Sequence, residues 1–148
     1  MKTRMVRSGE IPRIQSFYQS CGYDSPLEAT DVILLVEEDQ EIKAAVRLCQ
    51  EEGVVVLRGM QVREDCQRQG IGSSLLEYTR GVLGGDLCFC IPYAYLEGFY
   101  GQIGFSRIDP SDAPAFLNER YRLYRSRIGL DVILMRRIGS TEGAHSGG

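Results

Sequence analysis

Histidine is almost missing from this chain. Its single copy, His145, lies in the Gly/Ser-rich end 139–148, which the composition predicts to be a flexible tail. Acid–base work needs an imidazole held in place, so Ser-His-Asp and Cys-His catalysis and multi-histidine metal sites are excluded. Also missing is any apolar run near the roughly 20 residues that a membrane-spanning helix needs. The first residues, Met1-Lys2-Thr3-Arg4, do not lead into the apolar stretch of a signal peptide. The expected location is therefore cytoplasmic, with no membrane partner. No block of Lys or Arg stands out, and the formal net charge is −3. A grip on nucleic-acid phosphates needs a basic face, so a nucleic-acid partner is not expected. The five cysteines, Cys21, Cys49, Cys66, Cys88 and Cys90, are odd in number and match no zinc-site spacing. They are expected to be buried, reduced thiols, and no metal is expected.

What remains is an ordinary globular composition. With 148 residues, 43% of them hydrophobic, the chain is long enough to bury a core without disulfides. One domain over residues 1–138 is expected, followed by the tail. Thr3–Val6 can form a first strand. A helix follows, with Ser8 as a cap, Pro12 in its first turn, Ile11, Ile14, Tyr18 and Cys21 on one face, and Gly22 as a stop. Three consecutive strands come next, over 31–38, 42–50 and 53–62, and read as a meander.

The pattern then changes. A helix is predicted from Gly70 to Val82 or Leu83, with Ile71, Leu75, Tyr78 and Val82 as its apolar stripe and Leu76 and Leu83 broadening it. Further strands are predicted at 87–91, 105–108 and 132–135. Between them lie a helix opened by Pro92 and stopped by Gly104, and one from Asp112 or Pro114 that carries Leu117, Tyr121, Tyr124 and Ile128 in register. Such an order gives an α/β or α+β domain with a mixed sheet.

The segment Gln67-Arg68-Gln69-Gly70-Ile71-Gly72-Ser73-Ser74 joins a strand to an amphipathic helix. Glycines there let backbone N–H groups approach a ligand, and the helix start favours an anion. The physical reading is a phosphate or pyrophosphate cradle, with a plain glycine-rich connection as its alternative. A Walker A loop is excluded because no Gly-Lys-Ser/Thr is present, and a dinucleotide fingerprint because Leu75 stands where a third glycine belongs.

Gln67-x-x-Gly70-x-Gly72 resembles the Gln/Arg-x-x-Gly-x-Gly/Ala motif of the GNAT superfamily of acetyl-CoA-dependent N-acetyltransferases. Leu57-Arg58-Gly59-Met60-Gln61-Val62 resembles that family's fourth strand. Gly98-Phe99-Tyr100-Gly101-Gln102-Ile103-Gly104-Phe105 resembles its Phe-Tyr-x-x-x-Gly-Phe signature. The two motifs stand in the family's order, and the resemblance covers roughly residues 30 to 137.

The resemblance implies a mixed, mostly antiparallel sheet of about seven strands flanked by helices and splayed between strands four and five. It implies an N-acetyltransferase with acetyl-CoA as co-substrate. The coenzyme pyrophosphate would meet Gln67, Arg68, Gln69, Gly70, Ile71 and Gly72, with Ser73 or Ser74 helping. The pantetheine arm would meet the strand backbone at Met60 and Val62, and a backbone N–H of that strand, often bulged, would polarise the acetyl carbonyl. Tyr100 matches the family's general acid. Two departures stand out. Tyr93 occupies a position where relatives often have a coenzyme-contacting asparagine, and Val54–Leu57 carries no catalytic glutamate. Glu51, Glu52, Glu97 and Tyr95 are candidates for the base only by rough proximity, and water is another route for the proton.

The implied acceptor is a primary amine on a small molecule or a peptide, and a homodimer is compatible with the family. The acceptor pocket would draw on 19–29 and 109–128, where Arg120, Arg122, Arg125 and Arg127 either pair with an acceptor carboxylate or form the solvated face of a helix. An acetyl-enzyme at Cys66 is disfavoured because Cys66 falls beside the pyrophosphate loop. The alternative function is a non-catalytic coenzyme A-binding or protein-interaction module on the same fold.

Overall fold

Four strands make up the start of the sheet, the last three joined by two tight turns: β1 (Lys2–Met5), β2 (Val32–Glu38), β3 (Glu41–Glu51) and β4 (Val54–Val62). The structure is a computed structural model, in which residues 1–139 are described. Residues 140–148, with His145 and most of the expected tail, lie outside the described residues. The chain divides into two units, Met1–Val82 and a second from Leu83 onward.

In the first unit the strands pair antiparallel in the order β1-β2-β3-β4. Asp39 and Gln40 (φ 53° and 66°) turn β2 into β3, and Glu52 and Gly53 (φ 46° and 84°) turn β3 into β4. Two successive left-handed residues match the twist of a two-residue hairpin. The single helix before β2, α1 (Ile11–Ser20), lays Ile14, Phe17 and Tyr18 against Ile33, Leu35, Ile42 and Ala45. Full burial of side chains such as Ile14 and Leu35 contributes about 2 kcal/mol each.

Ser8 does not cap this helix. Residues Ser8–Glu10 form a 3-10 turn, and the Glu10 carboxylate accepts the Arg7 backbone N–H at 2.9 Å. Glu10 also accepts from Arg4 at 2.6 and 2.7 Å, while Glu37 accepts from Arg4 at 2.7 Å and from Arg13 at 3.2 Å.

Helix α2 (Ile71–Leu83) begins at the predicted place. Its buried residues are Ile71, Leu75, Leu76, Thr79 and Leu83, whereas Tyr78 and Val82 are half-buried. The stripe is thus rotated from the predicted one. Thr79 can join it because its hydroxyl donates to the Leu75 carbonyl at 2.7 Å, which leaves no unmet polar group.

The second unit has β5 (Cys88–Cys90), β6 (Ser106–Arg107) and β7 (Met135–Arg137), antiparallel in the order β5-β7-β6. It also holds two helices, α3 (Glu97–Gly101) and α4 (Ala115–Ser126). Pro92 does not open a helix. It leads into an extended Tyr93, a 3-10 turn at Ala94–Leu96 and then the short α3.

The last strand is displaced from 132–135 to Met135–Arg137; at Val132 only an isolated bridge to Tyr93 forms. The displacement has a polar cause. Arg137 is buried, donating Nε to the Ile103 carbonyl at 2.7 Å and Nη1 to the Gly84 carbonyl at 2.9 Å. In α4 only Leu117 is fully covered, and Ile128 lies past the helix end and is exposed. No helix among the described residues is long and apolar enough to cross a membrane.

The Arg4 guanidinium holds the Glu10 carboxyl at about 2, below its ordinary 4.5. A depressed carboxylate contributes stability above its unfolded value and loses it as pH falls through its folded one. Glu10→Gln is expected to lower unfolding free energy by about 1 kcal/mol at pH 7. Chemical denaturation along a pH series should show the two chains converging between 4.5 and about 2. A pH-independent difference would contradict this assignment.

Candidate functional site

Strand β4 carries a bulge. The β3–β4 register runs Ala45↔Gln61 and then Arg47↔Arg58, so Gly59 and Met60 stand opposite Val46 alone. Gly59 is left-handed (φ 64°), and a Cβ there would sit 3.0 Å from Tyr23 Cζ and Oη and 3.1 Å from Arg47 Cδ. Glycine is therefore required twice, by conformation and by space. The Gly59 carbonyl accepts a hydrogen bond from the Tyr18 hydroxyl of α1 at 2.8 Å.

Beneath the bulge lies a buried guanidinium. Arg47 is 0% exposed, donating from Nε and Nη2 to Asp31 Oδ2 at 3.0 and 2.7 Å. It also donates to the Tyr23 hydroxyl at 2.6 Å, to Ser25 Oγ at 3.2 Å and to the Pro26 carbonyl at 2.9 Å. Asp31 Oδ2 accepts the Glu28 backbone N–H as well. These contacts fasten the loop between α1 and β2, part of the predicted acceptor region, to β3. Arg58, the bulge's neighbour, donates to Ser25 Oγ at 3.3 Å and pairs with Glu51 at 3.6 Å.

After β4 the chain makes a 3-10 turn at Glu64–Cys66 and reaches the predicted cradle. Gln67, Arg68, Gln69 and Gly70 are all exposed. Gln67 folds back, donating to the Val62 carbonyl at 3.2 Å, and Gln69 donates to the Asp65 carbonyl at 3.3 Å. Arg68 and Gly70 are left-handed, at φ 67° and 79°. Alternation of this kind turns successive N–H groups to one side and makes an anion nest.

The Ser74 N–H is bonded to the Gly70 carbonyl at 3.0 Å. The N–H groups of Ile71, Gly72 and Ser73 precede it in the first turn of α2, where an α-helix has no internal acceptor for them. Ile71 is buried and anchors that turn, while the Ser73 and Ser74 hydroxyls are exposed. An open groove of about 900 Å³ reaches this loop, with Arg13, Cys21, Gln61, Val62, Arg63 and Gln67 among its lining residues.

In the second unit Tyr100 is 5% exposed on α3, edge-on to Phe99 and Phe105 at 5.0 and 6.0 Å. Burial, then Cys90 and Tyr95, pushes its phenol well above the usual range and keeps it protonated. Tyr93 is 44% exposed and stacks on the more exposed Tyr95 at 5.8 Å. Glu97 is exposed. On α4, Arg122 bonds Asn118, and Arg120 and Arg125 lie over Phe116 and Tyr121.

The cysteines are free thiols, all buried except the half-buried Cys21. Burial raises the Cys66 thiol, which opposes the thiolate that an acetyl-enzyme would need.

The structure thus brings Met60, Val62 and the residues from Gln67 to Ser73 together along one strand, turn and helix. Sequence reasoning missed Tyr18, Asp31 and Arg47 as site supports. Gly59, a glycine inside a β-branched run, was a readable bulge signal. Nothing marks Arg47, which alternates with apolar residues as a solvent-facing arginine would.

A model of the GNAT acetyltransferase domain matches residues 29–107. No curated protein matches the chain in sequence. Among solved structures, the chain is similar to the Neisseria gonorrhoeae N-acetylglutamate synthase complexed with coenzyme A and L-arginine, at 17% identity and TM-score 0.66. That likeness covers 93% of this chain and 33% of the synthase, so the chain spans about a third of the synthase's length. It is similar to Escherichia coli ElaA, at 16% identity and TM-score 0.67 over 92% and 98% of the two chains. It is also similar to the ribosomal-protein-S18-alanine N-acetyltransferase of Escherichia coli, at 16% and 0.66 over 94% and 96%. These likenesses show the fold, an α/β arrangement of seven strands flanked by helices.

The two left-handed glycines are expected to respond differently to an added methyl. Gly59→Ala meets both a strained φ and the Tyr23 ring, and is expected to lose about 2–4 kcal/mol. Gly70→Ala has no atom within 4 Å of its Cβ and is expected to lose about 1 kcal/mol. Equal losses in denaturant titrations of the two variants would contradict the packing at Gly59.

Proposed function

The chain belongs to the GNAT acetyltransferase family, and we propose that residues 1–138 act as one domain that moves an acetyl group from acetyl-CoA to a primary amine. The observation that carries this reading is the turn from β4 into α2. There, left-handed Arg68 and Gly70 precede the N–H groups of Ile71, Gly72 and Ser73, which have no acceptor within the helix, beside an exposed guanidinium and two exposed hydroxyls. The donor set fits a pyrophosphate: backbone N–H groups, a helix start and one cation, with no side chain filling the space over Gly70.

Gln67, Arg68, Gln69, Gly70, Ile71, Gly72 and Ser73 would hold the pyrophosphate, Met60 and Val62 the pantetheine amides, and Tyr93 the coenzyme through its exposed phenol. Acetyl-CoA supplies an activated thioester. In the first unit, the Met60 N–H at the bulge donates to the thioester oxygen and stabilises the charge that develops there. The amine must arrive neutral, since an ammonium has no lone pair. Its nitrogen forms the new C–N bond as the C–S bond breaks; the nitrogen gives up one proton to water, and the sulfur keeps the electron pair and takes its proton by way of Tyr100, which water resupplies.

In the second unit, Tyr100 donates its O–H to that sulfur. Burial keeps the phenol protonated, so the donor is present across the working pH range, and the proton moves only as charge builds on sulfur. The acceptor amine is carried by a small molecule or a peptide.

Tyr100→Phe is expected to lower kcat about 10²-fold with the coenzyme dissociation constant unchanged. Free-thiol release with a panel of amines, alongside calorimetric titration of coenzyme A, measures both. Unchanged kcat would reject the acid role. Tight coenzyme binding with no thiol released by any amine would make the chain a coenzyme A-binding module instead.

A further inference from the structure

The Tyr18 hydroxyl reaches from the core face of α1 to the Gly59 carbonyl at 2.8 Å. That carbonyl belongs to the same amide as the Met60 N–H. No peptide bond among the described residues is cis, so the amide is trans, and its C=O and N–H point in opposite directions. A donor fixed on the oxygen from one side therefore aims the N–H to the other. It also polarises the amide, making the N–H a stronger donor. The bulge takes Gly59 and Met60 out of one-to-one register with β3, with both facing Val46.

The position of the phenol is itself determined. Tyr18 is 2% exposed, its ring is 4.7 Å from that of Tyr23, and Tyr23 is held by Arg47. Burial raises the Tyr18 phenol and keeps its proton in place.

We propose that Tyr18 is a positioning residue for acetyl transfer: by donating to the Gly59 carbonyl it aims and strengthens the Met60 N–H that meets the thioester oxygen. This rests on the acetyltransferase reading above. Tyr18 touches neither the coenzyme nor the acceptor, and its effect passes through one peptide group.

The carbonyl stretch of bound acetyl-CoA, ¹³C-labelled at the thioester carbonyl, reads that peptide's donor strength directly. In the unaltered protein the band is expected below its solution frequency. In Tyr18→Phe the shift is expected to shrink and kcat to fall about threefold to tenfold, with coenzyme affinity within twofold. A chain with 2,3-difluorotyrosine at position 18 keeps the ring and makes the donor more acidic, so its shift is expected to deepen. This second chain decides the matter if Tyr18→Phe does not fold.

A shifted band in the unaltered protein that stays unmoved in either variant would overturn the role of Tyr18. An unshifted band and no thiol release in the unaltered protein would instead overturn the acetyltransferase reading on which it rests.

Discussion

A guanidinium with no access to water must find its acceptors in the protein, and in this chain that demand falls on Arg47. Asp31, Tyr23, Ser25 and the Pro26 carbonyl all answer it, and all four lie in or next to the loop between α1 and β2. The ion pair does not make the fold cheap: burying both charges forfeits their hydration, and the pair repays it only with all its hydrogen bonds in place. What it provides is definition. A loop without regular structure is tied to β3 at several points, Tyr23 is set over Gly59, and the bulge is held in a shape that only glycine accepts.

The one histidine of the chain, His145, stands outside its motifs in sequence, so neutral hydrogen-bond donors come from other side chains. Two buried phenols, Tyr18 and Tyr100, stay protonated because burial penalises their anions. Each is a neutral donor whose supply does not vary with pH near 7. A histidine in either place would change charge close to neutral pH and change its donor pattern with it.

Much of the architecture was legible because it follows hydrophobic period. The meander, α1 and α2 fall where alternation and helical spacing put them, and Gly70 marks the start of α2. Three of the departures share one cause: polar groups that found partners. Arg137 draws β7 past Leu134, Thr79 joins the buried face of α2 by bonding its own helix, and Glu10 caps where Ser8 was expected. Arg47 looked like a solvent-facing arginine on a half-buried strand. In each case the residue type reads as exposed, and only the three-dimensional partner reverses it. The turn from β4 into α2 was legible from its glycines, whereas the supports beneath the bulge come from segments far apart in the chain.

The thiols carry a practical consequence. Four of the five are shielded, and Cys21 alone is half-buried, at the end of α1 and three residues from Tyr18. A maleimide reporter placed on the folded chain should therefore gather at one address without any engineering of the other cysteines. Burial raises the Cys21 thiol, so mildly alkaline buffer would speed the coupling. The dye would then stand beside the helix that carries the phenol under the bulge, a vantage point from which ligand arrival could be followed by fluorescence.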